Sequence, residues 1–458
     1  MRKPHILILF ALLSHGFVCL ADKPMNVLMI AVDDLNHWVT YTGRNAQTRT
    51  PNIHRLAEMG TAFTNAHCTV PACNPSRASL MSGMRASTTG CYTNGDSPWT
   101  DFIAEGLGLE HHLKKNGYST LAAGKIYHSF GIGPGYESGW DEYFKTPKQP
   151  SGGADKNEGF HEKVVTKMTD QTLADWDAAD YAITQLGRDH DNPFFIACGL
   201  FKPHLAWAVP QKYYDMFPLE TIDLPPYLEN DLDDIPPAGI KMAKPGGDHA
   251  KMLKNKRWKK AIQSYLACIA YTDMNIGRIL DALEKSRYKD NTLVVLWSDH
   301  GWSLGEKQHW RKFALWEETT RTTMVWAVPG LTNPGTICDR PVDYLTIYPT
   351  MCDLLGLPTP DHVEGKSIRP LLKDPEAKFN TVAITTHGYM NHTVRTDRWR
   401  YIRYADGSEE LYDHSNDPYE FTNLARNPEM AKSKARLAKL LPKKNVKPVN
   451  AASNGGKK

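Results

Sequence analysis

Residues 26–34 read Asn-Val-Leu-Met-Ile-Ala-Val-Asp-Asp, an apolar and β-branched run that ends abruptly at two aspartates. The same change from apolar to polar residues recurs at 118–128, 193–204 and 292–301. Continuous apolar runs of this kind are typical of strands buried on both faces, as in a parallel sheet covered by helices. The pattern therefore indicates a sheet whose strands end at groups of polar side chains.

Helical patterns lie between these apolar runs. Apolar residues recur at helical spacing from Ile262 to Leu283, and the next apolar run begins soon afterwards at Thr292. Alternating strands and helices predict an α/β sandwich in which helices flank a large, mostly parallel central sheet. Ligands bind beyond the carboxyl ends of the strands in such sheets, so the polar groups are expected to meet at one site.

The sequence after about residue 370 has a different character. The segments 392–395, 400–404 and 410–412 are typical of short antiparallel strands, and Asp406-Gly407 supplies a turn between two of them. A helix is expected around 430–441. These elements predict a small C-terminal α+β subdomain with an antiparallel sheet.

These patterns divide the chain into segments. We expect an N-terminal domain at 22–375, a C-terminal subdomain at 376–442 and a disordered basic tail at 443–458. A Pro-rich stretch at 224–245 is typical of a long surface loop.

The first residues resemble an export signal. Arg2 and Lys3 precede an apolar stretch at 6–20, and small residues at its end suit cleavage after Ala21. We therefore expect a signal peptide at 1–21 and a periplasmic or extracellular location. The stretch is too short to span a bilayer, and no membrane span is expected elsewhere. A buried N-terminal helix is the alternative, which the polar residues after Ala21 disfavour.

Length, charge and cysteine content exclude some classes of protein. A chain of 458 residues is long enough to bury one large core and a smaller one. The formal net charge of +3 owes much to the lysine-rich tail, so the rest of the chain lacks the basic field of a nucleic-acid-binding protein. One of the eight cysteines lies in the predicted leader, and the odd number that remains leaves at least one unpaired.

Two pairs of residues have the chemistry of metal ligands. Asp33-Asp34 and Asp299-His300 each follow a predicted strand and have no cationic neighbour in the sequence. Packed together, three carboxylates would repel one another unless a divalent cation neutralised them. Carboxylate oxygens favour calcium or magnesium, although the histidine leaves a transition metal possible. For either pair alone, a turn or a helix cap is the ordinary explanation.

A cysteine stands at a predicted helix start. In the segment 71–83, Pro75 suits a first helical turn and the following residues can continue as helix. Cys73 would then lie at a helix N-terminus, where backbone N–H groups favour an anion, with Arg77 one turn further on. A structural cysteine in a helix-start turn is an equally good explanation of this segment alone.

The segment Cys73-Asn74-Pro75-Ser76-Arg77 resembles the C-x-P-S-R motif of the type I sulfatases. Further segments resemble the same family in the same order, namely Asp33-Asp34, Gly124-Lys125, Lys202-Pro203-His204, Asp299-His300-Gly301 and Leu411-Tyr412-Asp413. The resemblance implies an alkaline-phosphatase-like sandwich. It also implies that a formylglycine-generating maturation enzyme oxidises Cys73 to formylglycine (3-oxoalanine).

Within this family the chain is most similar to the iduronate-2-sulfatase branch. The segment 124–128 has the lysine-to-histidine spacing of that branch, and 202–204 and 299–306 also resemble it. The segment Lys307-Gln308-His309 departs from the branch at a place that borders the substrate. The resemblance therefore implies the reaction and leaves the sugar open.

The resemblance also assigns roles to the metal and the nucleophile. Asp33, Asp34, Asp299 and His300 would bind one calcium ion, with the oxidised side chain of Cys73 as a fifth ligand. The aldehyde would hydrate, and one of its hydroxyl groups would attack sulfur while the metal and Arg77 hold it ionised.

The remaining catalytic roles concern charge and protons. Lys125 and Lys312 would bind the sulfate oxygens together with calcium. His204 is the candidate general acid for the leaving alcohol, with Lys312 assisting, and His128 is the candidate base that releases the sulfate by elimination. Each histidine taken alone is also compatible with a structural role.

Aromatic and charged residues follow the second metal pair. Aromatic faces stack on sugar rings, and basic groups pair with carboxylates or sulfates. The candidate contacts to a sulfated saccharide are Trp302, His309, Arg311 and Trp316, with His387, Asn391 and Arg395 in the C-terminal subdomain. Ordinary packing between the domains explains each of them equally well.

Two other functions are compatible with these residues. A phosphate or phosphonate monoester hydrolase of the same superfamily would keep much of the metal site. A catalytically silent protein that binds sulfated glycans would keep the pocket without turnover, although no expected catalytic position is lost here.

Overall fold

The computed structural model describes residues 24–96, 105–128, 137–147 and 168–449. The predicted signal peptide at 1–21 lies outside these ranges. Among the helices within them, none is long and apolar enough to cross a bilayer.

A nine-stranded sheet forms the centre of the described structure. Its strands are β1 (Asn26–Val32), β2 (Thr61–His67), β3 (Ser119–Gly124), β4 (Glu142–Phe144), β5 (Phe194–Leu200), β6 (Thr292–Ser298), β9 (Arg321–Ala327), β10 (Thr336–Cys338) and β11 (Val342–Asp343). Two short strands between them, β7 (Ser303–Leu304) and β8 (Trp310–Arg311), form a separate hairpin. The order in the sheet is β10-β2-β9-β6-β1-β5-β3-β4, with β11 beside β2.

Most neighbouring strands of this sheet are parallel. Strand β1 is parallel to β5 and β6, and β3 is parallel to β4 and β5, whereas β9 runs antiparallel to both of its neighbours. The predicted strands at 26–32, 118–123, 193–198 and 292–297 are therefore confirmed to within a residue or two. The prediction of a large, mostly parallel central sheet is correct.

Helices cover both faces of the sheet. The longer ones are α1 (Pro51–Met59), α2 (Cys73–Ser82), α4 (Leu109–Lys115), α5 (Ala174–Gly187), α7 (Pro237–Ala243), α8 (Asp248–Lys254), α9 (Trp258–Lys285), α11 (Ile347–Leu354) and α13 (Ala431–Ala438). Shorter helices are α3 (Ala86–Thr89), α6 (Gln211–Tyr214), α10 (Glu317–Thr320) and α12 (Arg369–Lys373).

The central strand β1 shows why the apolar runs are continuous. Leu28 and Ile30 pack into the core on one face, which contains Ile262 of α9, and Val27 and Met29 pack into the core on the other. Every residue of β1 is buried, and all of them after the first, Asn26, are apolar.

The C-terminal subdomain contains a second sheet. Its strands β12 (Ala383–Thr386), β13 (His392–Arg395), β14 (Trp399–Arg403) and β15 (Glu409–Asp413) are antiparallel and consecutive in the chain. Helix α13 packs against β14 with Leu437 buried. The predicted small antiparallel sheet is confirmed.

Two segments differ from expectation. The surface loop predicted at 224–245 contains helix α7, whose Pro237 stands in the first turn, where the fixed φ of proline suits a helix. The disordered tail expected from residue 443 is packed as far as Val449: the N–H of Val446 donates to Ser87 at 2.8 Å, and Tyr92 Oη donates to the carbonyl of Val446 at 2.7 Å. The remainder of the predicted tail lies outside the described residues.

Candidate active site

The parallel register of β1 and β6 brings the two predicted metal pairs together. Val32 and Ser298 are paired at the carboxyl ends of these strands, so Asp33 and Asp299 leave the sheet side by side. Asp34 follows with a left-handed φ of 61°, and its N–H donates to Asp299 Oδ1 at 3.0 Å. The expected convergence of distant segments is therefore present at this edge of the sheet.

Helix α2 places Cys73 and Arg77 against this edge. All ten residues of the helix are buried, and Cys73 is its first residue. Arg77 Nε donates to Asp299 Oδ2 at 2.9 Å, and Arg77 also forms an ion pair with Asp33 at 3.4 Å. Cys73 Sγ lies 3.4 Å from His300 Nε2. The cysteine motif and both aspartate-bearing strand ends therefore share one site.

Lys125 enters the site from the end of β3. Gly124 has a φ of 72°, and a Cβ atom there would lie 2.0 Å from the carbonyl oxygen of Gly199. Only glycine therefore lets β3 approach β5 so closely before the chain turns. The turn directs the ammonium group of Lys125 to Asp33 Oδ2, with which it forms a buried ion pair.

Lys312 contacts both the nucleophile position and the metal position. Its Nζ atom lies 2.8 Å from Asp34 Oδ1 and 2.8 Å from Cys73 Sγ. Burial alone would lower the pKa of Lys312, but Asp34, Cys73 and Asp33 outweigh it and raise the pKa above its ordinary value. Lys312 is therefore a permanent cation in the site.

The charges of the described site are balanced within the protein. Asp33, Asp34 and Asp299 face Arg77, Lys125 and Lys312 within the same cluster. The aspartates have no cationic neighbours in the sequence, because these cations come from other parts of the chain. Repulsion among the carboxylates is therefore not in itself an argument for a metal.

The two adjacent aspartates have different proton affinities. Burial would raise the pKa of Asp33, but Lys125, His204 and Arg77 outweigh it and hold that pKa well below its ordinary value. Burial and the neighbouring carboxylates raise the pKa of Asp34, in spite of Lys312. The charged form of Asp34 is therefore the less well compensated of the two.

The donor set nevertheless fits a cation. Ligand atoms of Asp33, Asp34, Cys73 and His300 all lie within 4.8 Å of one another, and all four residues are buried. The Oδ2 atom of Asp34 is buried without a hydrogen-bond partner. His300 Nδ1 lies 2.9 Å from the carbonyl oxygen of Gly301, which can only accept, so Nε2 presents its lone pair to the cluster.

Asp299, the remaining predicted ligand, borders this donor set. Its Oδ1 atom accepts from the N–H of Asp34 and lies 3.5 Å from His300 Nε2. A carboxylate oxygen has two lone pairs, so this bond leaves Oδ1 able to bind a cation.

The two candidate proton-transfer histidines flank the site. His204 is partly buried, and its Nδ1 lies next to the carbonyl oxygen of Leu205, so its Nε2 faces Asp34 Oδ2 at 3.8 Å. Burial lowers the pKa of His204. Burial and the charge of Lys125 lower the pKa of His128 to about 4, and His128 Nδ1 has no hydrogen-bond partner.

Lys202 is a further functional candidate, for which no role was predicted from the sequence. It is 1% exposed, and its ammonium group donates to the carbonyl oxygens of Ala206 and, at 3.4 Å, His204. These bonds fix the backbone that carries His204. The sequence contained a signal for this residue, because Lys202 lies two residues after the end of β5, in the same three-residue motif as His204.

Two aromatic candidates for sugar binding belong to the protein core. Trp302 is 1% exposed and packs against Tyr265 and Trp207, so its ring faces protein on both sides. Trp316 is 2% exposed, and its Nε1 donates to Glu410 at 2.8 Å. Ordinary packing, the alternative given above, explains both residues.

Arg395 belongs to a buried ion-pair cluster between the two domains. Arg395 and Arg400 both contact Glu317, and Arg400 also pairs with Glu420. Glu317, Glu420 and His414 have metal-ligand spacing, but the guanidinium groups already occupy their carboxylates. The ion pairs of this cluster join helix α10, which carries Glu317, to strands β13 and β14 of the C-terminal sheet.

His309 and Arg311 hold the loop that carries Lys312. His309 is buried, with Nδ1 3.0 Å from the carbonyl oxygen of Ala243 and Nε2 2.9 Å from that of Lys312. Arg311 Nε donates to Asp248 at 2.7 Å. Both side chains therefore connect this loop to helices α7 and α8.

The same loop has an unusual backbone. Lys307, Gln308, Arg311 and Phe313 all have φ between 49° and 77°, a region that costs non-glycine residues energy. Lys307 is 3% exposed and forms a buried ion pair with Asp231 at 2.7 Å. The segment 307–309, which departs from the family pattern, thus holds the loop that carries Lys312 in place.

His387 and Asn391 lie on a hairpin loop near Lys312. The ring of His387 is 6.0 Å from that of Phe313, and burial lowers the pKa of His387 to about 4. Asn391 Nδ2 donates to the carbonyl oxygen of His387 at 2.9 Å, which fixes the loop. His387 therefore contacts the residue next to Lys312, and Asn391 holds the loop that carries His387.

Comparison with known families identifies the fold and the chemistry. The sulfatase family model matches residues 25–357. This range contains all the residues at the strand ends that form the candidate active site, namely Asp33, Asp34, Cys73, Arg77, Lys125, Asp299, His300 and Lys312. The chain belongs to the sulfatase family. The C-terminal model of N-sulphoglucosamine sulphohydrolase also matches residues 305–447. As a member of this family, the protein is a sulfuric ester hydrolase.

Individual relatives agree with this assignment. A sulfatase of Formosa agariphila is 40% identical over 455 residues, covering 93% of this chain and 87% of the relative. Iduronate 2-sulfatase of Mus musculus is 29% identical, covering 74% of this sulfatase and 70% of the relative.

Solved structures share the whole fold. BT4656, solved in complex with its substrate D-glucosamine-2-N,6-O-disulfate, has a TM-score of 0.75 at 22% identity, covering 92% of this chain and 97% of that one. The phosphonate monoester hydrolase of Agrobacterium radiobacter has a TM-score of 0.74 at 22% identity, covering 91% and 94%. The alkaline-phosphatase-like sandwich implied by the sequence is thus confirmed.

Proposed function

We propose that this sulfatase removes a sulfate ester from a carbohydrate, with formylglycine made from Cys73 as the nucleophile and one calcium ion as the metal. The observation that carries the proposal is the contact of Cys73 Sγ with Lys312 Nζ at 2.8 Å and His300 Nε2 at 3.4 Å. A thiol in that position stands where the oxygens of the oxidised side chain would lie. A sugar substrate is supported by the similarity to iduronate 2-sulfatase and to the structure solved with a disulfated glucosamine.

Asp33, Asp34, Asp299 and His300 would hold the calcium ion. When bound, the ion and the hydrated formylglycine supply a Lewis acid and an oxygen nucleophile. The unpartnered Oδ2 of Asp34 and the lone pair of His300 Nε2 support this assignment. Oxygen-rich ligands favour calcium over softer metals.

The chain's own cations would bind the sulfate. Lys312 stands beside the nucleophile position and Lys125 beside Asp33, so both ammonium groups can approach sulfate oxygens whose charge grows during transfer. Arg77 holds the Asp299 carboxylate at 2.9 Å, which keeps that ligand oriented and leaves the lysines for the substrate.

The histidines would divide the proton transfers. Since Nδ1 of His204 faces the Leu205 carbonyl, Nε2 is the atom that would donate a proton to the leaving oxygen. Burial lowers the pKa of His204, and a sulfate bound beside Nε2 would raise it again, because an opposite charge favours the protonated ring. His128, with a pKa of about 4, is neutral at pH 7 and can accept a proton.

Mass spectrometry and matched kinetics test this proposal together. The protein is expressed with a formylglycine-generating enzyme, and the tryptic peptide ending at Arg77 is analysed for the aldehyde. Turnover is then compared on 4-nitrophenyl sulfate, the matching phosphate and phosphonate esters, and a panel of sulfated uronides and marine oligosaccharides. We expect the aldehyde and a preference for sulfate. An unmodified thiol in active protein, or a preference for the phosphorus esters, would reject the proposal.

A catalytically silent glycan-binding protein would give a distinct result. It would bind the sulfated sugars intact and release no sulfate even after maturation.

Export through the leader at 1–21 is part of the proposal, and N-terminal sequencing of the secreted protein tests it. We expect the mature chain to begin at Asp22.

A further inference from the structure

We propose that a cationic cleft in the C-terminal subdomain binds a second sulfate group of the saccharide chain whose ester is cleaved at the active site. The inference rests on the proposed carbohydrate sulfatase function and extends it to oligomeric substrates. The cleft has a volume of about 420 Å³. Strand β14, helix α13 and the packed C-terminal segment 443–449 form its walls.

The lining of this cleft is positively charged. Arg403, Lys439 and Lys443 are all exposed on its surface, and the ring of His392 forms part of its floor. The described residues that line it include neither aspartate nor glutamate. Glu409, the carboxylate opposite Arg403 in the sheet, is already engaged by Lys434 at 2.8 Å. The residues that line the cleft therefore carry positive charge only, while Glu409 lies beside Arg403 in the sheet and is shared with Lys434.

The wall made by the C-terminal segment is anchored. Asn445 Oδ1 lies 2.8 Å from His392 Nε2, and the N–H of Val446 donates to Ser87 at 2.8 Å. The hydroxyl group of Tyr92 donates to Val446 at 2.7 Å. These contacts fix the backbone two and three residues beyond Lys443, which lines the cleft together with Arg403, although the sequence of this segment resembles a disordered tail.

A single hairpin loop connects the cleft with the active site. At one end of the loop, the ring of His387 lies 6.0 Å from Phe313, the residue after Lys312. At the other end, Met390 and His392 line the cleft. His387 and the cleft-lining Met390 are thus three residues apart on one loop, which is the basis for placing both along one bound saccharide.

The chemistry of the cleft suits a sulfate group. A guanidinium group binds tetrahedral oxyanions through two parallel N–H donors, and lysine ammonium groups add point charges that adapt to the position of the anion. Exposed cations of this kind each contribute modestly, so their effect is expected in combination.

Binding to sulfated oligosaccharides tests the cleft independently of turnover. Calorimetry with the Cys73→Ala variant measures the affinity for hexasaccharides and disaccharides prepared from heparin and from carrageenan. We expect the added Arg403→Ser and Lys443→Ser substitutions to weaken hexasaccharide binding about tenfold. Disaccharide binding should not change. The weakening should diminish at high salt, because exposed charges are screened.

A matched variant controls for the loss of charge alone. Lys432 is exposed on α13 but does not line the cleft, and Lys432→Ser with Arg426→Ser removes the same net charge from the subdomain. We expect this pair to leave hexasaccharide affinity within twofold of the parent. Equal weakening by both pairs, equal loss for disaccharides, or no binding of either hexasaccharide overturns the proposal. A different result is possible, in which hexasaccharide binding depends on the cleft while the matured protein hydrolyses no sulfate ester. That result would support the cleft as a binding site and reject the proposed sulfatase function.

Discussion

Lys312 Nζ lies 2.8 Å from Cys73 Sγ, although the two residues are 239 positions apart in the sequence. Replacing Lys312 by Ala should lower kcat about 100- to 1000-fold, because one preorganised cation next to the growing charge is removed. Steady-state kinetics on an aryl sulfate measures this effect. Lys254→Ala, at an exposed position on α8, is the control and should keep full activity. A loss of less than tenfold at Lys312 would contradict the assigned role.

The role of His204 predicts a dependence on the leaving group. A sugar alcohol needs a proton as it leaves, whereas 4-nitrophenol leaves readily as the anion. His204→Ala should therefore lower kcat about 100-fold or more for a sugar sulfate and much less for 4-nitrophenyl sulfate. His190→Ala, at a partly buried histidine outside the site, controls for general damage. Equal losses on both esters would mean that His204 does not act as the general acid.

Removal of calcium should inactivate and destabilise the protein. A chelator is expected to abolish turnover and to lower Tm, and excess calcium should restore both. A ligand at 100 times its Kd stabilises the fold by about 2.7 kcal/mol. Asp34→Asn should abolish the calcium-dependent rise in Tm, whereas the exposed Asp233→Asn should keep it. Full activity of exhaustively chelated protein would show that turnover does not require calcium.

The buried pair of Lys307 and Asp231 should support catalysis through the Lys312 loop. Lys307→Met leaves the Asp231 carboxylate buried without its partner, which should lower the free energy of unfolding by about 3 kcal/mol and also lower kcat. The double variant Lys307→Met with Asp231→Leu should recover much of the stability, because no charge remains buried. Urea unfolding and kinetics measure the two effects. If the single variant is as stable and active as the parent, the ion pair of Lys307 and Asp231 does not stabilise the Lys312 loop.

Glu306 predicts a pH dependence of stability. Burial and the nearby carboxylate of Glu318 raise the pKa of Glu306 to about 8, from an ordinary value of 4.5. The folded state therefore keeps a proton that the unfolded state has released. This contribution to stability is complete below about pH 4.5 and is lost as the pH rises through about 8.

Glu306→Gln removes this proton equilibrium. The variant should gain stability relative to the parent as the pH is raised from 5 to 9, by on the order of 1 kcal/mol per pH unit at most. Chemical denaturation at several pH values measures the difference. Glu429→Gln, at an exposed position, should show a constant difference from the parent. A constant difference for Glu306→Gln as well would show that its pKa is not raised.

The sequence was sufficient to predict the central sheet and the group of residues formed by the Cys73 motif and the acidic pairs after β1 and β6. The apolar run of β1 is buried on both faces, so its hydrophobicity has no polar interruption and is visible without a structure. The motif at Cys73 and the acidic pairs after β1 and β6 are local in the sequence, and parallel pairing brings strand ends together wherever it occurs. Fold class and most of the candidate metal ligands followed from these two facts.

The tertiary structure alone decided which residues outside this cluster are buried and which charges they pair with. Trp302 and Trp316 have the residue type of sugar platforms, but their burial depends on what packs against them, which no local pattern contains. The cations Lys125 and Lys312 balance aspartates from distant parts of the chain, and the lysine-rich segment to Val449 is ordered by Ser87 and Tyr92. Hydrophobic periodicity and covalent neighbourhood are properties of the sequence. Side-chain burial and long-range charge pairing arise only when separate elements meet, so the structure was needed to establish them.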